Sequence, residues 1–266
     1  MRHSPPIVLS IAGFDPSSGA GITADIKTIA VHGCYGISAI TAMTIQSTSG
    51  VRRVVPTDAQ VLADTLDELL RDGKVSAVHI GMLGSGKVGS VVADFLLRAG
   101  LENVVLDPVL KSSSGAELLD RNSVAVLTER LLPLADVTTP NIDEAAVLTG
   151  MQIKNPIQME AAARRLNEMG ADVVVVTGGH LHQAIDVLSV KGEAVQIYRA
   201  NRIDSANTHG TGCAFSSAIA CQLALGQSLP MAVLLAKAYV LAAIRSSYAI
   251  GRGPGPVNHM FRNDGS

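Results

Sequence analysis

Tryptophan is absent from this chain of 266 residues, and aromatic residues make up only 3% of it. Base-stacking surfaces need aromatic faces, so a nucleic-acid partner is not expected. Neither charge sign dominates: 21 Lys and Arg stand against 23 Asp and Glu, for a net charge of −2. That balance gives no attraction to nucleic acid or to an acidic membrane. Only three cysteines occur, Cys34, Cys213 and Cys221, an odd number without metal-type spacing. A reducing cytoplasm is the expected compartment. Long apolar runs are missing as well. "IVLSIAG" (7–13) and "DVVVVTGG" (172–179) are strand length, far short of a membrane span. The opening "MRHSPPIVLS" lacks the apolar core and cleavage site of a signal peptide. No GxxxxGK[ST] match is present, and no GxGxxG follows the first strand, which argues against a P-loop and a dinucleotide fold. No Gly/Ser/Pro linker, repeat or low-complexity tract divides the chain. With 47% hydrophobic and 17% charged residues, one globular domain over 1–266 is expected.

What is present is alternation. Strand-like runs are expected at 7–12, 37–45, 75–82, 103–110, 135–141 and 172–179, with two more near 184–190 and 193–199 joined by a "KGE" turn. Helical spacing covers about 20–31, 58–72, 87–99, 121–132, 156–169, 212–224 and 229–248. Asp58 is a capping candidate for the second of these. Continuous apolar strands between amphipathic helices predict an α/β fold: three layers, α/β/α, around a mostly parallel central sheet. In such sheets ligands bind beyond the carboxyl ends of the strands. Here those ends are polar or glycine-rich: "AGFDPSSGAG", "GML", "DPVLKSSSG", "TPNIDE" and "TGGH". Any one of them is also an ordinary turn; five in succession suggest a site.

Residues 204–216, "DSANTHGTGCAFS", open a helix on two glycines, Gly210 and Gly212. Glycine-rich backbone at a helix N-terminus binds anions through converging N–H groups and the helix dipole. Cys213 at that place is expected to have a lowered pKa and to serve as base or nucleophile; its bland reading is a small packing residue. Cys34 and Cys221, in helix-like apolar settings, read as packing residues.

"NTHGTGCAFSSAIA" together with "AGFDPSSGAGITADIKT" resembles the hydroxymethylpyrimidine/phosphomethylpyrimidine kinases, thiamine-pathway members of the ribokinase-like superfamily. "ITAMTIQSTSGV", "HIGML", "VVLDPV", "TPNIDEAAVLTG", "GGHL", "AKAYVLAAI" and "GRGPGPVNH" extend the resemblance, in order, over nearly the whole chain. It implies phosphoryl transfer from ATP, with Mg²⁺, to the hydroxymethyl group of a small pyrimidine, by a homodimer.

By the same resemblance Gly210, Thr211, Gly212 and Cys213 form an anion hole, and Cys213 takes the place of the aspartate base of sugar-kinase relatives. A softer version has Cys213 shape the hole while a phosphate oxygen takes the proton. Gly13, Asp25, Gln46, Met82 and Val109 would line the pyrimidine pocket; Gln46 and Asp25 have the hydrogen-bonding range for an aminopyrimidine. Without the resemblance, Asp25 reads as an exposed first-turn acid. Asn141 and Glu144 match an NxxE motif implied to organise Mg²⁺ through water, with Asp107 joining them. Thr177, His180, Thr208 and Lys237 fall on the nucleotide side, although Lys237 also reads as a solvated charge. His209 reads as a loop-fixing residue, and His32 and His79 as structural ones. The stretches 111–117 and 204–210 are lid candidates.

Two departures from the family pattern stand out. Family members often carry lysine where this chain has Ser113 and Thr177; Lys111 lies two residues before the first. Both lysines would neutralise phosphate, so phosphorylation of an already phosphorylated substrate is placed in doubt. Pyridoxal kinase activity is one alternative, and a non-catalytic pyrimidine-binding regulator is another.

Overall fold

A computed structural model describes residues 4–112, 115, 118–179 and 184–263. Nine strands form one sheet: β1 (Ile7–Phe14), β2 (Tyr35–Ser47), β3 (Gly50–Pro56), β4 (Val75–Ile80), β5 (Val104–Leu106), β6 (Val137–Thr138), β7 (Val173–Gly178), β8 (Ala184–Val190) and β9 (Gln196–Ala200). Their spatial order is β3-β2-β1-β4-β5-β6-β7-β8-β9. From β2 through β7 the neighbours pair in parallel, while β3, β8 and β9 are antiparallel additions at the edges. This is the expected mostly parallel sheet.

The strands alternate between two buried faces, as a period of two requires. Leu9, Ile11, Val78, Ile80, Leu106, Val174 and Val176 point into one apolar layer. Val8, Ala77, Val105, Val137 and Val175 point into the other. The first layer is covered by α2 (Ala59–Asp72), α3 (Gly86–Ala99), α4 (Arg121–Val126), α5 (Ile142–Thr149) and α6 (Pro156–Glu168). The second is covered by α1 (Gly21–Val31), α7 (Thr211–Ala224) and α8 (Leu229–Arg245). No helix among the described residues is long and apolar enough to cross a membrane.

Several boundaries differ from the sequence reading. β5 and β6 are three and two residues long, shorter than the apolar runs around them, because the chain leaves the sheet at Asp107 and Thr139 to form loops. The expected helix at 121–132 is α-helical only to Val126; it loosens to a π turn over Leu127–Leu131 and tightens over Leu132–Leu134, where Pro133 removes a donor. Cys34 sits in the turn before β2, not in a helix.

β1 is the switch point of the sheet: β2 lies on one side of it and β4 on the other. The chain departs in opposite directions there, which opens a crevice at the carboxyl ends of these strands.

Candidate active site

β1 ends in "GFDPSSGAG", and Asp15 organises that loop. One carboxylate oxygen accepts from the Ser17 N–H (2.8 Å) and hydroxyl (2.6 Å). The other accepts from the N–H groups of Gly19 (3.2 Å) and Ala20 (2.9 Å) and from His209 Nε2 (2.9 Å). Burial opposes the charge of Asp15, yet the donations from His209 and Ser17 leave its pKa below the usual carboxylate value. Asp15 carried no expected role; read from sequence, it is one more turn aspartate.

His209 fixes two loops, as expected. Its side chain reaches Asp15, and its backbone pairs with Gly255 and Val257. Asn207 Oδ1 accepts from the Gly255 N–H at 2.9 Å, and Ser205 meets Ser247 at 2.9 Å. The stretch 204–210 is therefore stapled to the "GPGPVNH" segment, which counts against its reading as a lid.

The α1 and α7 starts meet here. Gly210 has φ +82°, and a β-carbon on it would lie 1.8 Å from the Gly19 carbonyl oxygen. Gly21 has φ +56°, and a β-carbon there would lie 2.2 Å from the Gly13 carbonyl oxygen. Only glycine fits such contacts. α1 begins on Ala20 and α7 on Gly210, and neither helix start is capped by a side chain. In the first turns the Thr211 N–H turns back to the Thr208 carbonyl and the Gly21 N–H to the Cys213 sulfur, and the N–H groups that follow them are left for another acceptor. Thr211 and Cys213 are half-buried in the first turn of α7, Gly212 is exposed beside them, and Thr208 is exposed before it.

The Gly21 N–H points at the Cys213 sulfur and favours the thiolate. It does not prevail. Burial, with the carboxylates of Asp107, Asp25 and Glu144 nearby, pushes the thiol pKa well above its ordinary value. The lowered pKa expected at a helix N-terminus is corrected: the helix dipole is outweighed by three acids and desolvation.

Asp107 leaves β5 with its side chain buried, and burial lifts its pKa to about 6, with Asp25 adding to the rise and His79 opposing it. Its Oδ2 would lie 3.7 Å from a β-carbon placed on Gly212. Glu144 is pushed to about 8 by burial and by Asp107. Asn141 and Glu144 form a reciprocal capping box at the start of α5: Asn141 Oδ1 accepts from the Glu144 N–H and Glu144 Oε2 from the Asn141 N–H, each at 2.9 Å. The NxxE pattern therefore has a local folding role whatever else it does.

The pyrimidine-pocket residues separate into two groups. Gly13 and Met82 are neighbours: a β-carbon on Gly13 would meet the Met82 sulfur at 3.0 Å. Gln46 is half-buried, takes the Thr44 hydroxyl on Oε1 at 3.1 Å and lies 3.5 Å from His209 Nε2. Val109 is half-buried, two residues beyond Asp107. Asp25 is different. It is fully buried, with Oδ1 accepting from Ser217 (2.8 Å) and Oδ2 from Ser10 (2.7 Å) and His79 Nδ1 (3.2 Å). It is not an exposed acid: internal donors reach both of its oxygens.

Lys237 is corrected in the same way. Its ammonium is buried and held by Asp186 Oδ2 (2.6 Å) and the Ala184 carbonyl (3.1 Å), so it is not a solvated charge. Thr177 is the last residue but one of β7, half-buried, with its N–H on the Pro140 carbonyl at 2.9 Å, which sets it beside Asn141. His180 and Ser113 lie outside the described residues.

Over residues 15–258 the sequence matches the family model described as phosphomethylpyrimidine kinase. The chain belongs to the phosphomethylpyrimidine kinase family. It is similar to the hydroxymethylpyrimidine/phosphomethylpyrimidine kinase of Haemophilus influenzae, at 42% identity over 95% of this chain and 96% of that protein. It is also similar to the thiamine biosynthesis bifunctional protein ThiED of Geobacter sulfurreducens, at 46% identity over 96% of this chain; it spans only 52% of that longer protein. Among solved structures, an ADP complex of Bacillus subtilis pyridoxal kinase superimposes with a TM-score of 0.89 at 35% identity, covering 96% of this chain and 98% of that one. The fold is thus that of the ribokinase-like vitamin kinases, and family membership makes the chain a kinase.

Proposed function

We propose that this chain acts as one kinase domain, working in the cytoplasm as a homodimer. It transfers the γ-phosphoryl group of ATP to the hydroxymethyl group of 4-amino-5-hydroxymethyl-2-methylpyrimidine, in thiamine biosynthesis. With lower efficiency it phosphorylates the resulting monophosphate. The observation that carries this reading is the meeting of two uncapped helix starts beside Cys213 and Asp107 at the sheet's switch point. Phosphoryl transfer needs positioning and charge stabilisation more than covalent help, and converging N–H groups supply both.

In this reading Gly210, Thr211, Gly212 and Cys213 hold the transferring phosphoryl group. Gly13, Met82, Gln46 and Val109 hold the pyrimidine ring, and Thr177, Thr208 and His180 lie on the nucleotide side. Asp107 and Glu144 fit Mg²⁺ held partly through water. Burial first, and neighbouring carboxylates second, lift their pKa values to about 6 and 8, and a cation would favour their charged forms. Among the described residues no group of three or more His, Cys, Asp or Glu is placed to hold a metal directly. Burial, with Asp107, Asp25 and Glu144, holds the Cys213 thiol pKa up; a cation at Asp107 and Glu144 would remove part of that opposition to the thiolate. The thiolate is the form of Cys213 that can accept the proton of the attacking alcohol. Asp25 and Lys237 support the site from behind and beside it.

Pyridoxal is the second reading, favoured by the close superposition on a pyridoxal kinase. ADP release, measured with hydroxymethylpyrimidine, its monophosphate and pyridoxal in turn, separates the readings. The proposal expects the highest kcat/KM for hydroxymethylpyrimidine. A monophosphate brings about −1.5 to −2 additional charge beside the phosphates of ATP, and the usual lysines are replaced by Ser113 and Thr177. Ser113→Lys with Thr177→Lys should therefore improve the second phosphorylation more than the first. Preference for pyridoxal overturns the substrate assignment. A parent that already prefers the monophosphate overturns the charge argument, and no turnover with any of the three favours a binding regulator.

A further inference from the structure

Beneath the site lies a buried polar chain that the reaction described above does not use. His79, in β4, is completely buried. Its Nδ1 lies 3.2 Å from Asp25 Oδ2, and its Nε2 lies 2.9 Å from Ser216 Oγ. Ser216, in the second turn of α7, lies 3.3 Å from Asp107 Oδ2. The charged or titratable groups facing the ring are Asp25 from α1 and Asp107 from the end of β5; α7 presents the hydroxyls of Ser216 and Ser217.

Counting protons leaves two arrangements, which differ in where the single Ser216 proton goes. Asp25 already accepts from Ser10 and Ser217, which marks it as an acceptor-only carboxylate, so His79 Nδ1 must carry a proton. Ser216 has a single hydroxyl proton. Were His79 neutral, Nε2 would be a bare lone pair and would take that proton, leaving Asp107 without it. With His79 protonated on both nitrogens, Nε2–H donates to Ser216 Oγ, and the hydroxyl proton is released toward Asp107. The carbonyls of Gly212 (3.0 Å) and Cys213 (3.2 Å) compete for the same proton, but a carboxylate is the stronger acceptor.

We propose that His79 is a positioning residue for phosphoryl transfer: held as an imidazolium by Asp25, it turns the Ser216 hydroxyl onto Asp107. The effect on turnover rests on the kinase reading; the protonation of the ring does not. Burial works against a charged imidazole here, but the Asp25 carboxylate and its hydrogen bond, with Asp107 behind, raise the pKa of His79 above its usual value. The consequence is a fixed orientation for the acid next to the anion hole and the Cys213 thiol. Two neighbouring helices on one face of the sheet, α1 and α7, are tied to one ring.

Nitrogen-15 NMR of the full chain labelled at histidine tests the protonation directly, with the His79 signals identified by their loss in His79→Gln. At pH 7.5 both ring nitrogens are expected to be protonated; a neutral tautomer overturns the proposal without any assay of turnover. Kinetics test the relay. A glutamine amide reaches the place of Nε2 and keeps a donor on Ser216, whereas an asparagine amide reaches only the place of Nδ1. His79→Gln should therefore keep kcat within about threefold of the parent, and His79→Asn should lose about tenfold, the worth of one hydrogen bond to a charged group. KM for ATP should move less than about twofold in both. Ser216→Ala should match His79→Asn, and the double variant should be no worse than either, since both break one chain. Additive losses, or equal losses in Gln and Asn variants, overturn the relay through Ser216.

Discussion

The helices of this protein begin in two ways. α2, α3, α5 and α6 each open on a side-chain cap: Asp58 on the N–H groups of Gln60 and Val61, Ser85 on Val88, Asn141 on Glu144, and Asn155 on Gln158. α1 and α7 open on Ala20 and Gly210, neither of which makes a side-chain cap bond. α8 also starts without a side-chain cap bond, but Pro230 in its first turn has no N–H to satisfy. A cap is worth about 1 kcal/mol, so α1 and α7 forgo stability that their neighbours keep. They do so where the two starts interlock through Gly19, Gly21 and Gly210. These two starts are the ones the proposed function assigns to phosphate.

The comparison is broken most strongly at Cys213, in the first turn of an uncapped helix. Cys213→Ala should keep the fold and nucleotide binding and lower kcat by about 10²–10⁴-fold, the worth of general base catalysis. Near-normal turnover would leave the thiol a role in shaping the hole only.

A smaller effect is expected at Glu144, in the first turn of a capped helix facing the same site. Its folded pKa of about 8 lies above the ordinary value of 4.5, so the folded protein binds its proton more tightly than the unfolded chain does. Stability from this group is complete below pH 4.5 and is lost as pH rises toward 8. Without magnesium, melting temperature should fall across that window, and Glu144→Gln should flatten the fall. Equal slopes in parent and variant would show that Glu144 is not a strained acid.

Much of this was legible in the residues. Alternating apolar runs gave the parallel sheet, because strands buried on both faces carry unbroken apolar sequence. "THGTGC" and "DPSSGAG" marked the two loops that meet. Other parts were hidden for physical reasons. α5 is eight residues long and was overlooked, although Asn141 and Glu144 spell a capping box; the same letters also fit a magnesium motif. β3, "GVRRVVP", is largely exposed and gains its place by pairing with the extended end of β2, a tertiary cause that no local pattern reveals. The burial of Asp25 and Lys237 is not legible locally because a buried charge depends on a distant partner: His79 lies 54 positions from Asp25, and Asp186 lies 51 from Lys237. Asp15 gave no signal beyond that of a turn residue, since its five donors come together only when the loop closes on His209.

The central claim is that the uncapped starts of α1 and α7 are the phosphate-binding elements, and calorimetric titration of ADP tests it most directly. Ala20→Asp places a carboxylate over the first turn of α1, where it takes the N–H groups and opposes an anion. Asn155→Ala removes a cap from α6 and costs about 1 kcal/mol of stability. ADP should bind Ala20→Asp about tenfold more weakly than the parent, roughly 1.4 kcal/mol, and should bind Asn155→Ala as the parent does. Unchanged ADP affinity in Ala20→Asp, with the protein folded, would contradict the assignment of these helix starts to the phosphates.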